Sequence, residues 1–216
     1  MSINILDCTL RDGGYYNKWD FDCELVNDYL SAMAKAGINY VELGLRQFRN
    51  DQYLGASAYT TYEYLARLFL PDGPIYGVMI DAKTILTSDD SQKDCVDKLF
   101  RDRIEEKIGL VRVAAHFHEV AECFPMVCAL KEKGYLVGLN IMQASLRSSD
   151  ELTDVSKIVS DWNKVDVLYF ADSMGSMDAD DIRRVYKAIR CSWLGDLGFH
   201  SHNNMGEAIA NVQCAI

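Results

Sequence analysis

Two histidines near the end of the chain, His200 and His202 in "HSHNN", stand at i and i+2. On an extended strand that spacing sends both side chains to the same face. Two imidazoles so placed can share one divalent metal ion, or can serve as ordinary hydrogen-bonding groups at a strand end. Near the other end, "LDCTLRDGGYY" sets Arg11 and Asp12 beside a glycine pair, directly after a short apolar segment. Standing alone, this stretch is a turn rich in Asp and Gly. Brought beside the histidines, Asp12 would complete a set of one carboxylate and two neutral imidazoles. Such a set leaves positions open for water and a bidentate oxygen substrate, as catalytic sites do and closed structural sites do not. Glu42, an acid inside the apolar "YVELG", needs a buried partner, and Arg11 is the candidate for a structural ion pair, with direct proton transfer as the alternative, catalytic role for Glu42.

Elements of alternating type must position these groups. Short β-rich segments recur at 3–6, 40–44, 75–80, 110–115, 136–142, 165–171 and 197–202. Between them lie stretches with the apolar spacing of helices, such as "CELVNDYLSAMAKAG" and "ADDIRRVYKAIRCSWLG". Gly37, Gly134 and Gly195 follow helical patterns ending in or near Lys or Arg, which predicts helix ends ahead of the next strand. Strands this apolar, linked by helices, predict an all-parallel sheet buried on both faces.

Two features favour a (β/α)8 barrel over a doubly wound sheet. No Gly-x-Gly-x-x-Gly or P-loop follows the first strand. Polar residues cluster just after the strands, at "RDGG", "ELGLRQ", "AAHFHE", "MQAS", "ADSMGS" and "HSHNN", and strand ends of a barrel build its active site in this way. At roughly 30 residues per βα unit, an eighth strand would begin about where the sequence stops. The expectation is one domain over 1–216, incomplete at its C-terminus, with strand 8 lacking and one sheet edge open or covered by another chain.

At 216 residues, with 49% hydrophobic and 25% charged residues, the chain can bury one substantial core. A net charge of -10 argues against a general binder of nucleic acid or anionic membrane. The seven cysteines form no Cys-x-x-Cys pair, and no secretory leader is read at the start, which places the protein in the reducing cytoplasm. No apolar run reaches the length of a transmembrane helix. The aromatics of "QYLGASAYTTYEYLARLF" have packing spacing and predict core or a subunit interface, so a homo-oligomer stays open. "TSDDSQKDCVDK" predicts a solvated loop entering a helix.

Taken together, "TLRDGG", "VELG", "VRVAAH", "ADSMGSM" and "HSHNNMGEAIAN", in this order along the whole chain, resemble the DRE-TIM metallolyases. Among their branches, 4-hydroxy-2-oxovalerate aldolase is most similar. The resemblance implies a metal-dependent lyase, an aldehyde-lyase that reversibly cleaves a 4-hydroxy-2-oxo acid to pyruvate and an aldehyde. Asp12, His200 and His202 would be the metal ligands. The ion would be Mn2+ foremost, with Mg2+, Co2+ or Zn2+ as alternatives. Arg11 would stabilise the enolate and touch the substrate, as a fixed fork of donors is suited to do. Asp172 and Ser173, at the end of the sixth strand, would bind the 2-oxo acid or orient a ligand histidine.

One position departs from the aldolase pattern. The branch carries its base, a histidine, three residues beyond the metal aspartate, and Tyr15 stands there instead. A phenol with an ordinary pKa near ~10 is a poor base at neutral pH. His116 in "AAHFHE" is a substitute base or a polar group lining the mouth, and His118 is a helix-start residue. Two other functions share the site: a Claisen synthase or lyase joining or splitting acyl-CoA and an oxo acid, as in isopropylmalate synthase or 3-hydroxy-3-methylglutaryl-CoA lyase, and a catalytically silent barrel that serves as a binding partner.

Overall fold

Six parallel pairings join seven strands in simple chain order in the computed structural model, which describes residues 3–216. The strands are β1 (Leu6–Asp7), β2 (Tyr40–Leu45), β3 (Ile75–Asp81), β4 (Leu110–His116), β5 (Leu136–Met142), β6 (Val167–Asp172) and β7 (Asp196–Ser201). After β1 come α1 (Thr9–Asp12), α2 (Gly14–Asn17) and α3 (Cys23–Lys35), and α4 (Tyr62–Arg67) follows β2. Then α5 (Ala82–Leu86) and α6 (Gln92–Leu99) link β3 to β4, while α7 (Phe124–Glu132), α8 (Ser149–Trp162) and α9 (Ala179–Arg190) fill the next three crossovers. The chain closes with α10 (Ala208–Ala215). Among the described residues no helix is long and apolar enough to cross a membrane.

Alternation along the strands divides the residues between two faces. Val41, Leu43, Val78, Ile80, Val111, Val113, Val137, Leu139, Leu168 and Phe170 share one parity and join the core beneath the helices. The other parity carries Glu42, Gly77, Arg112, Gly138, Asn140, Tyr169, Gly198 and His200. Contacts among Glu42, Arg112, Asn140 and Tyr169, drawn from four different strands, show that this face is turned inward. The sheet is rolled: Asp12, just past β1, and His200, in β7, approach to 3.6 Å although β1 and β7 are the two sheet edges. Seven parallel strands in barrel order, curled until their edges face each other, form seven strands of the wall of a (β/α)8 TIM barrel.

The structure corrects the sequence reading in three places. The first strand lies at Leu6–Asp7 rather than 3–6, and Ile3 and Ile5 before it are exposed. "RDGG" is not a plain turn but the junction of α1 and α2. Asp7 starts α1 by accepting from the Thr9 amide at 3.2 Å and the Thr9 hydroxyl at 2.9 Å, a local bond that opens a helical turn. Gly14 then lies against the Trp19 ring, where a Cβ would come within 2.0 Å of Trp19 Cδ1. Finally, Gly37 and Gly134 take the left-handed conformation at their helix ends (φ 73° and 88°), but α9 ends at Arg190, before Gly195. Gly195 instead packs on Trp193, and its carbonyl accepts from Arg190 Nη1 at 2.6 Å.

Candidate active site

β7 delivers His200, and the residue just past its end is His202. Their Nε2 atoms lie 3.2 Å apart and face the same Asp12 oxygen, Oδ2, at 3.6 and 3.3 Å. His202 Nδ1 lies 2.8 Å from the backbone carbonyl of Asp172, at the end of β6. A carbonyl only accepts, so Nδ1 carries the proton, and a neutral His202 offers the lone pair of Nε2 to the shared space. Such a bond to the second nitrogen is how ligand histidines are usually oriented. Ligands ~2.1 Å from a common ion, at angles between square and tetrahedral, stand ~3.0–3.4 Å from one another. Two of the three donor spacings fall in this range and the His200–Asp12 one, at 3.6 Å, slightly exceeds it, so the donor set suits one divalent cation after a small closure. Cys8 forms a second possible grouping with Asp12 and His200 that leaves out His202, its Sγ lying 3.8 Å from His200 Nδ1 rather than beside Nε2.

Electrostatics favour the form a cation needs at Asp12 and His200, and oppose it at His202 and Cys8. Burial raises the Asp12 carboxyl, but the nearby imidazoles of His200 and His202 and the charge of Arg11 outweigh it, holding the group well below the usual carboxylate range. Burial lowers His200 and so favours neutral imidazole. His202 is raised, chiefly by the neighbouring Asp12 carboxylate, so binding an ion there would displace a proton. The Cys8 thiol is pushed up to about 11 by burial and stays protonated at neutral pH.

Arg11 stands on α1 with its guanidinium pinned from two sides. Nη1 donates to Asp12 Oδ1 at 2.6 Å, and Nε donates to Glu42 Oε2 at 2.8 Å. Its own carbonyl accepts from Trp19 Nε1 at 2.7 Å, which fixes the backbone of α1. Burial alone would lower the guanidinium pKa, but Glu42 leads the groups that raise it, so Arg11 is cationic. Glu42 is fully buried and pairs with Arg11 as expected from its place in β2. It has a second partner that sequence reasoning missed: Arg112 in β4, whose Nη1 lies 3.3 Å from both Glu42 oxygens. Arg112 Nη2 donates to Asn140 Oδ1 at 3.4 Å, and its guanidinium carbon lies 4.3 Å from the centre of the Tyr169 ring. A lone cation in "LVRVAA" was the signal for it, since a charge amid strand apolars must find a buried counter-charge.

The remaining expected residues take distinct places. Tyr15, on α2, meets Trp19 edge-on at 4.6 Å between ring centres, and 65% of the residue is exposed. Partial burial raises its phenol, on which the charges of Arg11, Asp12, Asp81 and Glu42 also act. His116 is tied to its own loop: its amide and Nδ1 lie 2.8 and 3.1 Å from Glu119 Oε2, starting the turn that follows β4. The Asp172 carboxylate is fully buried and accepts from the amides of Ser176 (3.0 Å) and Met177 (3.2 Å). It is thus the Asp172 carbonyl, not its carboxylate, that orients His202. Ser173 Oγ accepts from the Gln143 amide at 3.0 Å and joins the loops after β5 and β6.

No protein-family model matches the chain. Oxaloacetate decarboxylase of Mycobacterium tuberculosis is 28% identical over 96% of this chain, which spans 59% of that protein. A 4-hydroxy-2-oxovalerate aldolase of Thermomicrobium roseum is 27% identical over 98% of the chain, spanning 57% of its own length. The chain therefore covers less than two thirds of these curated relatives. Among solved structures, the N-terminal domain of a presumed aldolase from Bacteroides vulgatus superposes with a TM-score of 0.87 at 27% identity, covering 99% of this chain and 69% of that one. HMG-CoA lyase from Brucella melitensis shares the fold at a TM-score of 0.72 and 14% identity, with 99% and 76% covered. The resemblance to the DRE-TIM metallolyases, and to their aldolase branch, holds along nearly the whole chain.

Proposed function

We propose that this chain carries the active site of a divalent-metal-dependent carbon–carbon lyase working through an enolate. The substrate class is a 4-hydroxy-2-oxo acid, cleaved reversibly to pyruvate and an aldehyde. The observation that carries this reading is the convergence of Asp12, His200 and His202 on one point, with Arg11 bonded to the other oxygen of the same carboxylate. The aldolase and decarboxylase relatives support it. Residues 1–216 would form part of one aldolase-type barrel domain. Mn2+ is the first choice of ion, ahead of Mg2+, Co2+ and Zn2+. Seven free thiols among the described residues suit a reducing compartment such as the cytoplasm.

A cation held by Asp12, His200 and His202 would supply Lewis acidity toward the carbonyl and carboxylate oxygens of a 2-oxo acid. The protein's own part is positioning and charge. Asp12 stays ionised, and the bond from His202 Nδ1 to the Asp172 carbonyl keeps the lone pair of Nε2 directed inward. Arg11 uses Nε and Nη1 on Glu42 and Asp12, and among the described residues no acceptor meets Nη2. Those N–H groups are free for the oxygen on which enolate charge develops, fixed in place before the reaction. Aldol cleavage also requires removal of the substrate's hydroxyl proton. Tyr15, raised rather than lowered, is a proton donor at neutral pH, which suits protonation of the enolate carbon better than deprotonation of the alcohol.

Tyr15 also favours a second reading, loss of CO2 from a 2-oxo acid bearing a carboxylate on the neighbouring carbon. That reaction has no hydroxyl proton to remove, and the Mycobacterium tuberculosis relative bears the name oxaloacetate decarboxylase. Protein loaded with Mn2+ should release pyruvate from one of the two substrate classes, followed by coupled lactate dehydrogenase, and Asp12→Ala should abolish release. No metal-dependent release from either class, with the ligands intact, would leave the silent barrel as the better account.

A further inference from the structure

The mouth of the barrel explains Asp12, Arg11 and the histidines, but not Arg112 beneath them. Arg112 is 1% exposed and sits four residues before His116, which ends β4, so it is deep in the barrel. Burying a guanidinium is costly, and an apolar side chain of similar volume would fill the space without that cost. Its hydrogen bonds are long, at 3.3–3.4 Å, and its buried Nε meets no partner. The surroundings are nevertheless shaped to hold it. A Cβ on Gly138 would come within 3.0 Å of Arg112 Cγ and 2.9 Å of Tyr169 Cε2, and one on Gly198 within 2.2 Å of Tyr169 Cδ1. Two strands lack side chains there, and the room is taken by a cation lying over an aromatic ring.

What Arg112 touches suggests its role. Glu42 Oε2 accepts from Arg11 Nε at 2.8 Å, while Oε1 has Arg112 as its hydrogen-bonding partner. With Arg112 absent, Oε1 would be buried without a partner and the carboxylate would be free to turn about its last torsion, carrying the Arg11 bond with it. We propose that Arg112 is a positioning residue: it locks the Glu42 carboxylate from below, and Glu42 in turn fixes the direction of the Arg11 guanidinium at the mouth. Its consequence for turnover rests on the enolate reading of Arg11, but the positioning itself does not.

Nitrogen-15 NMR of the arginine Nε–H groups tests the two parts separately. In the wild-type protein the Arg11 Nε–H, identified by its loss in Arg11→Lys, should be sharp and slow to exchange. In Arg112→Met its exchange should accelerate by about tenfold or more, the scale of losing one hydrogen bond to a charged group, while Arg112→Lys should restore much of the protection. Asn140→Ala, which frees the other end of the Arg112 fork, should give a smaller acceleration and serves if Arg112→Met does not fold. An Arg11 Nε–H unchanged in Arg112→Met, or in Asn140→Ala when that variant must stand in, would overturn the proposal. Where wild-type turnover is measurable, Arg112→Met should lower kcat with bound metal and KM nearly unchanged, and an unaltered kcat would equally overturn the link to turnover. An inactive wild-type protein would count against the proposed function and leave the NMR result standing.

Discussion

Tyr15 and Asp12 are three residues apart, and their environments push their protonation in opposite directions. The Tyr15 phenol is raised by partial burial and stays protonated, so it can give a proton but is poorly suited to take one. Installing an imidazole there should supply the missing base. We predict that Tyr15→His raises aldol cleavage of a 4-hydroxy-2-oxo acid by at least about tenfold relative to decarboxylation, measured as the ratio of the two kcat/KM values. Asp12 shows the opposite case. Its folded carboxyl lies well below the usual range because the histidines and Arg11 outweigh burial. Its contribution to stability is therefore fully present above the unfolded value of about 3.9 and is lost as pH falls toward the lower folded value. Metal-free Asp12→Asn should lose less stability than the metal-free wild type between about pH 7 and about pH 3, compared by urea midpoints. The types and spacing of Arg11, Asp12, His200 and His202 could be read from sequence because each is a polar residue at a strand end. Arg112 could not be assigned a partner, since its link to Glu42 reaches past β3 to a strand two places away in the curled sheet, and local sequence carries no record of that.

Among the elements, the inward faces of β2 and β4 hold the site together through one carboxylate. Glu42 is completely buried and serves two guanidiniums, so its removal would leave Arg112 with no carboxylate partner and Arg11 with Asp12 alone. Glu42→Ala should destabilise the protein by about 3–5 kcal/mol, the cost of breaking a buried ion pair by one partner, read from urea unfolding at neutral pH. Periodicity revealed the crossover helices and the apolar strands because their packing repeats over many residues. It failed at α1 and α2, four residues each, whose helical turns depend on Asp7 bonding to Thr9 and on Trp19 closing over Gly14. The distinction matters for function, because a helical turn rather than an open loop places Arg11 and Asp12 side by side with their side chains bonded to each other.

For the molecule as a whole, the rolled sheet brings together residues nearly 190 positions apart. The inner cluster carries two guanidiniums, Arg11 and Arg112, against two carboxylates, Glu42 and Asp12, so its formal charges cancel. The strand count and order followed from the repeated βα pattern, whereas the curvature that closes Asp12 onto β7 is a property of the assembled sheet. Whether that meeting point is a metal centre is the central question. Crystals grown with Mn2+ and measured for anomalous scattering should show one strong peak bonded to Asp12 and to Nε2 of both His200 and His202, at ~2.1–2.2 Å. The same peak should vanish in Asp12→Ala. No peak between these three residues, or an equal manganese content in Asp12→Ala, would contradict the account.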